Sequence, residues 1–175
     1  LVLPPTVAGF FLLLIFSLRR PFGKLLLESF DFKVIQTWKG CVIAAAVIAF
    51  PLMYRNARAA FEQVDVNLIY AGQTLGMSDR RIFWKVIVPA AAPGIASGTV
   101  LAFARAIGEY GATSMLAGNI LGKTRTVSVA IAAETAAGNY DVAGFWVVVI
   151  VLISFVIVAL INIVSGRGMK SRRWI

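Results

Sequence analysis

Four long apolar stretches alternate with polar, basic ones, at about residues 1–18, 38–54, 92–109 and 143–164. Stretches of this length approach or reach the thickness of a bilayer's hydrocarbon core, about 30 Å, at about 1.5 Å of helix per residue. The fourth is the cleanest, an uncharged run from Ala143 to Val164 with Trp146 near one end and Asn162 near the other. The first carries Pro4 and Pro5 near its start, where prolines open or kink a helix, and ends at Arg19, Arg20 and Pro21. The second is short unless Thr37, Trp38 and the stem of Lys39 belong to it; indoles favour the headgroup level and a lysine can snorkel. The third begins near Pro93 and Gly94, and its Gly94, Gly98 and Ala102 form a stripe of small residues. Such a stripe lets another helix, from this chain or a second copy, approach closely.

Between these runs lie a polar loop at 19–39, a basic amphipathic segment at 55–90 and a mixed region at 110–141; a basic tail with Arg167, Lys170, Arg172 and Arg173 closes the chain. The 55–90 segment is the most structured. Ala57, Ala60 and Phe61 stripe a helix leaving the membrane, beside Arg55, Arg58 and Glu62. Leu68, Ala71, Gly72 and Leu75 then fall on one apolar helical face. Gly76 stands where a helix C-terminus needs positive φ, Ser78 can cap the next helix, and Asp79 suits its dipole. Ile82, Phe83, Val86 and Ile87 repeat the stripe, and Pro89 marks the expected stop. The pattern is helix, sharp turn, helix, with Arg80, Arg81 and Lys85 outside.

Composition narrows the chemistry. The chain has 175 residues, 59% of them hydrophobic, with mean hydropathy +0.84 and net charge +9. The basic residues flank apolar runs, where anionic lipid headgroups are the natural counter-charge, and no basic–aromatic surface suggests nucleic acid. There is no His, Cys41 is the only cysteine, and Glu28, Glu62, Glu109 and Glu134 are scattered. No metal site, no base–nucleophile pair and no phosphate-binding glycine loop can be assembled, so ATP, if used, belongs to another subunit. The sequence opens on Leu1 inside an apolar run, and we expect a fragment lacking N-terminal spans.

The spacing Tyr70, Ala71, Gly72, then Gly76, then Val86-Ile87-Val88-Pro89 resembles the EAA loop of ABC importer permeases: Glu-Ala-Ala, three residues, Gly, nine residues, Ile-x-Leu-Pro. Gly76 and Pro89 match outright; Tyr70 replaces the Glu and Gly72 the second Ala. The resemblance implies that Tyr70, Ala71, Gly72, Thr74, Leu75, Gly76, Met77, Ser78, Asp79 and Arg80 contact an ATPase subunit. The stretches Leu3-Pro4-Pro5-Thr6-Val7-Ala8-Gly9, Phe103 to Thr113, Ala117 to Ile120 and Lys123 to Thr126 resemble the molybdate permeases within that family, and that from Phe103 to Thr113 the sulfate permeases as well.

The implied fold is all-α, a polytopic membrane helical bundle of the type I importer class. It forms one permease domain over 1–175, with a cytoplasmic coupling loop at about 55–90 and a cytoplasmic C-terminus. The implied partners are the ATPase with its ATP and Mg, a second permease copy, an extracytoplasmic oxyanion-binding protein and lipid, in a bacterial or archaeal plasma membrane. The chain itself is not expected to be an enzyme or to bind a cofactor. Molybdate import by alternating access is the leading reading; sulfate or tungstate import is the near alternative, and an ion-driven secondary transporter the distant one.

Arg105 and Glu109 lie four apart on one expected helical face, inside an apolar run where an unpaired charge costs about 2.5–3.5 kcal/mol. With Thr113 they are candidates for the translocation path or its gate; a structural ion pair is the other reading. Lys123, Thr124, Arg125 and Thr126 form a polar cluster suited to an oxyanion, to the delivering protein or simply to solvent, ahead of an expected short helix at 126–137.

Overall fold

The computed structural model describes the backbone of residues 4–170 and the side chains of 4–159. The basic tail expected from Arg167 therefore falls outside the described side chains, as does Asn162. The elements are α1 (Pro5–Phe16), α2 (Pro21–Phe30), α3 (Trp38–Glu62), α4 (Val66–Thr74), α5 (Asp79–Ile82), a π turn (Phe83–Ile87), α6 (Val88–Ile107), α7 (Gly111–Leu116), α8 (Val127–Ala136) and α9 (Tyr140–Lys170). Among the described residues no strand occurs, and the all-α membrane architecture stands.

Among the described residues three helical stretches are long and apolar enough to cross a membrane: Trp38–Glu62, Asp79–Ile107 and Tyr140–Ala159, the last lying within α9. The expected crossing at 1–18 contributes the 12-residue α1, about 18 Å long, which stops at Ser17; residues 1–3 lie outside the described part. The expected polar loop at 19–39 instead contains α2, an amphipathic helix that starts on Pro21 and ends in a left-handed Asp31. Its alternation of Phe22, Leu25 and Leu26 with Lys24 and Glu28 was hidden by the charges counted around it.

The expected stop at Pro89 is not a stop. Asp79–Ile107 runs as one helical stretch, so the helix that carries the crossing expected at 92–109 begins earlier, at Asp79, and ends at Ile107. Proline lacks an N–H and crowds the carbonyl four residues back. The widened π turn immediately upstream, closed by Val88 N–H donating to the Phe83 carbonyl, accommodates that offset. α3 also passes through a proline, Pro51, and runs to Glu62, so the span expected at 38–54 and the helix expected to leave the membrane at Ala57, Ala60 and Phe61 are one element.

The chain forms two compact units, residues 1–50 with 103–155, and residues 51–102 with 156–175. In the first, α1 packs against α7 so closely that a Cβ on Gly9 would lie 2.6 Å from the Ala112 Cα. Leu12, Val34, Ala44, Ala112 and Leu116 form its core. In the second, the small-residue stripe finds its partner within the chain. A Cβ on Gly94 would stand 2.6 Å from the Ala60 Cβ, and one on Gly98 2.5 Å from the Asn56 Cβ, so α6 lies directly on the end of α3. Phe61 and Phe83 stack beside this seam.

Candidate functional site

The helical hairpin at 65–82 is built by local chemistry at each end. Asp65 caps α4, its carboxylate accepting the Asn67 N–H at 2.9 Å. At the other end Gly76 adopts φ +69°, Gly76 N–H donates to the Gln73 carbonyl and Met77 N–H to the Gly72 carbonyl. These two bonds are the Schellman arrangement, which satisfies two carbonyls that a helix end leaves open. The chain then reverses into α5, with Ser78 at the N-cap position and Asp79 in the first turn. Ser78 does not cap with its hydroxyl as expected; its carbonyl accepts the Ile82 N–H at 2.9 Å.

The buried face of the hairpin is narrower than the sequence pattern suggested. Gly72 is buried, and a Cβ there would come within 3.0 Å of Ile82 Cγ1, so glycine at this position seats Ile82 directly on the α4 backbone. Leu68 and Leu75, expected on the same buried face, are exposed, Leu75 at 79%. The four residues between α4 and α5 fold α5 over Gly72 alone, leaving the leucines outside. Tyr70, Ala71, Thr74, Leu75, Gly76, Ser78, Asp79 and Arg80 are all exposed and Met77 is half-buried. The result is a rigid knuckle with an apolar outer surface of Leu68, Tyr70 and Leu75 and a cationic flank of Arg80 and Arg81.

The second group lies in the other unit. α6 ends at Ile107, so Glu109 sits in the following turn rather than on the helix, yet it still meets Arg105: Oε2 is 2.7 Å from Arg105 Nη1. That contact is an ion pair, not aligned as a hydrogen bond. The other oxygen, Oε1, accepts the Ala112 N–H at 2.8 Å, at the start of α7. Glu109 is thus a buried carboxylate (side chain 1% exposed) whose charge is countered by a partly exposed guanidinium (36%) and one backbone donor.

Thr113, on α7, is buried. Glu109 and Thr113 both line a cavity of about 490 Å³, together with Cys41, Arg125, Thr126 and apolar side chains; Arg105 is not part of its lining. Arg125 is not free there, because Nη2 lies 2.7 Å from Glu134 Oε1 while Asn139 donates to Oε2. The Asn139 amide first, and then Arg125, hold the Glu134 carboxyl below its ordinary range. Thr126 caps α8 through the Val129 N–H, the Thr124 hydroxyl accepts the Ile120 N–H, and Ser128 donates to the Ile107 carbonyl. The polar cluster flagged at 123–126 is therefore spent largely on holding its own loop. The Arg125–Glu134–Asn139 clamp was not legible in the sequence, where nine and fourteen residues separate Arg125 from its associates and follow no helical period. Among the described residues no three of His, Cys, Asp or Glu stand together as metal ligands.

A family model for the binding-protein-dependent transport system inner membrane component matches residues 1–167. The chain belongs to that family. Among its relatives is the putative molybdenum transport system permease protein YvgM of Bacillus subtilis (strain 168), 45% identical over 162 residues, which cover 93% of this chain and 71% of that protein. The molybdenum transport system permease protein ModB of Escherichia coli (strain K12) is 47% identical over 131 residues, covering 75% of this chain and 57% of ModB. The sulfate transport system permease protein CysT of Salmonella typhimurium is more distant, 34% identical over 165 residues, covering 94% of this chain and 59% of CysT. The chain thus spans between about half and three quarters of the length of these relatives.

Proposed function

We propose that this chain is the membrane-spanning part of an ATP-driven importer subunit that carries molybdate by alternating access. The observation that carries the coupling half of this reading is the Gly76 knuckle. It is an exposed, doubly hydrogen-bonded turn joined to a crossing-length helix that starts at Asp79. A separate ATPase subunit, which would hold ATP and Mg, docks on Tyr70 to Arg80. Its closure pushes the knuckle, and because Ile82 is locked on Gly72 the push passes into the helix without being absorbed in the turn. The exposed aromatic Tyr70, in place of the motif's carboxylate, makes this contact one of packing rather than charge. The knuckle and the C-terminus would face the cytoplasm, a second copy would complete the path, and an extracytoplasmic binding protein would deliver the anion.

Molybdate rests on the relatives at 45–47% identity whose names specify molybdenum. The sulfate permease at 34% supports sulfate as the second reading, and tungstate shares the same charge and shape. Arg105, Glu109 and Thr113 belong to the path or its gate in this proposal. A bare buried carboxylate would repel a dianion, and the Arg105 pair cancels it. The test is reconstitution of the full-length protein with its ATPase and binding protein in liposomes. We expect uptake of labelled molybdate that requires ATP and survives excess sulfate. Uptake abolished by sulfate would move the substrate to sulfate, and uptake that ignores the ATPase would remove the coupling mechanism.

A further inference from the structure

We infer that α2 is an in-plane membrane anchor that lies at the headgroup level and binds anionic phospholipid. It rests on the chain spanning a membrane and not on what the chain transports. Three observations combine. The first is position. α3 is a crossing-length helix whose first residue, Trp38, is exposed, so the segment just before it lies at a membrane boundary. The second is a fixed fold-back. A Cβ on Gly23 would sit 2.4 Å from the Ser17 carbonyl oxygen and 2.5 Å from that of Phe16, and the Phe16 and Phe22 rings are 5.8 Å apart. The start of α2 is thereby clamped against the end of α1, and ten residues, about 15 Å, are too few to cross.

The third is surface chemistry. Phe22, Leu25 and Phe30 are exposed, while Lys24 and Glu28 pair at 3.6 Å on the side of the helix away from Phe22 and Phe30. Arg19 and Arg20 precede the helix and Lys33 and Lys39 follow it, against only Glu28 and Asp31 among the acids of 19–39. The Lys39 ammonium lies over the Phe32 ring, 4.4 Å from its centroid. Phenyl and leucyl side chains on one face with cations at both ends match an acyl-chain boundary below and phosphates above. The excess of cations around this face is complementary to anionic headgroups, and lipid is the occupant it fits.

The test places a nitroxide label singly at Phe22, Lys24, Leu25 and Glu28, each changed to Cys in full-length protein whose native cysteines are replaced. Collision with oxygen and with a water-soluble nickel chelate is then measured in phosphatidylcholine liposomes with and without phosphatidylglycerol. Positions 22 and 25 should favour oxygen and 24 and 28 the chelate, with the contrast growing when phosphatidylglycerol is present. Chelate access at all four would overturn the proposal, as would positions 22 and 25 closed to both reagents, the sign of a covering protein or second copy. In a separate arm, Arg19→Gln, Arg20→Gln and Lys24→Gln together should lower the preference of retained lipid for phosphatidylglycerol over phosphatidylcholine by at least about fivefold, the worth of one headgroup-level charge. An unchanged preference would overturn the headgroup assignment even if the depth pattern held.

Discussion

Replacing Gly76 separates backbone conformation from space at the centre of the knuckle. A Cβ added there meets nothing within 4 Å, so volume inside the subunit is not the constraint. The constraint is φ +69°, which costs an ordinary L-residue about 1–2 kcal/mol and a β-branched one more. Asn pays less, because its side chain tolerates the left-handed region. If the Schellman turn must be formed before an ATPase can dock, that penalty lowers the docking-competent fraction and weakens apparent association by about 5–30-fold. The expected order of affinity is Gly, then Asn, then Ala, then Val, measured by titrating the ATPase onto full-length permease in nanodiscs. The thermal stability of the permease alone should follow the same order, because the strain does not depend on the partner. An Asn variant that binds more weakly than Ala would refute the reasoning, since it would make side-chain bulk at the docking surface the determinant. Equal binding by Gly and Val would refute it outright.

Other expectations follow from the same geometry. Gly98→Val forces a side chain onto the Asn56 Cβ, which no rotamer change can move, and should destabilise by about 1–3 kcal/mol; Gly144→Ala, with open space around it, should be neutral or slightly stabilising in thermal unfolding. Arg105→Ala strands the Glu109 carboxylate. Loss of a buried pair costs about 3–5 kcal/mol, but the half-open guanidinium is screened, so the low end applies, and adding Glu109→Gln should restore much of the stability. Normal unfolding of the single variant would show that the pair is not structural. Glu134 titrates below its ordinary value of 4.5 in the folded chain, so its clamp stabilises fully above that pH and is lost as pH falls through the depressed folded value. Hydrogen-exchange protection over 120–125, corrected for the intrinsic rate at each pH, should therefore fall only on strong acidification, and at neutral pH in Glu134→Gln; a fall in corrected protection near neutrality in the unaltered protein would contradict the assignment.

The parts legible in the sequence were those set by local rules. Gly76 had to take a left-handed conformation between two amphipathic stretches, and Gly94, Gly98 and Ala102 had to meet another helix. Both hold, although the identity of the facing helix, α3, required the fold. What failed were inferences that treated a single residue as decisive. Pro89 does not end its helix, because the π turn immediately upstream offsets it. The charges of 19–39 masked a ten-residue helix, Pro21–Phe30, which is placed by the contact of Gly23 with the Phe16 and Ser17 carbonyls. Leu75 shows the limit of periodicity itself: it lies on the apolar stripe but faces outward, because burial depends on what the four-residue turn brings over the helix.

The most direct measurement of the coupling claim is thiol-to-amine bifunctional cross-linking of the assembled transporter from single cysteines at two highly exposed positions, Leu75 in the knuckle and Leu121 in the loop before α8. In a cysteine-free background, Leu75→Cys should cross-link to the ATPase subunit with a yield that changes on ATP binding, whereas Leu121→Cys should not reach it. Cross-linking from position 121, or none from position 75 in a transporter that still hydrolyses ATP, would contradict the placement of the docking surface at the Gly76 turn.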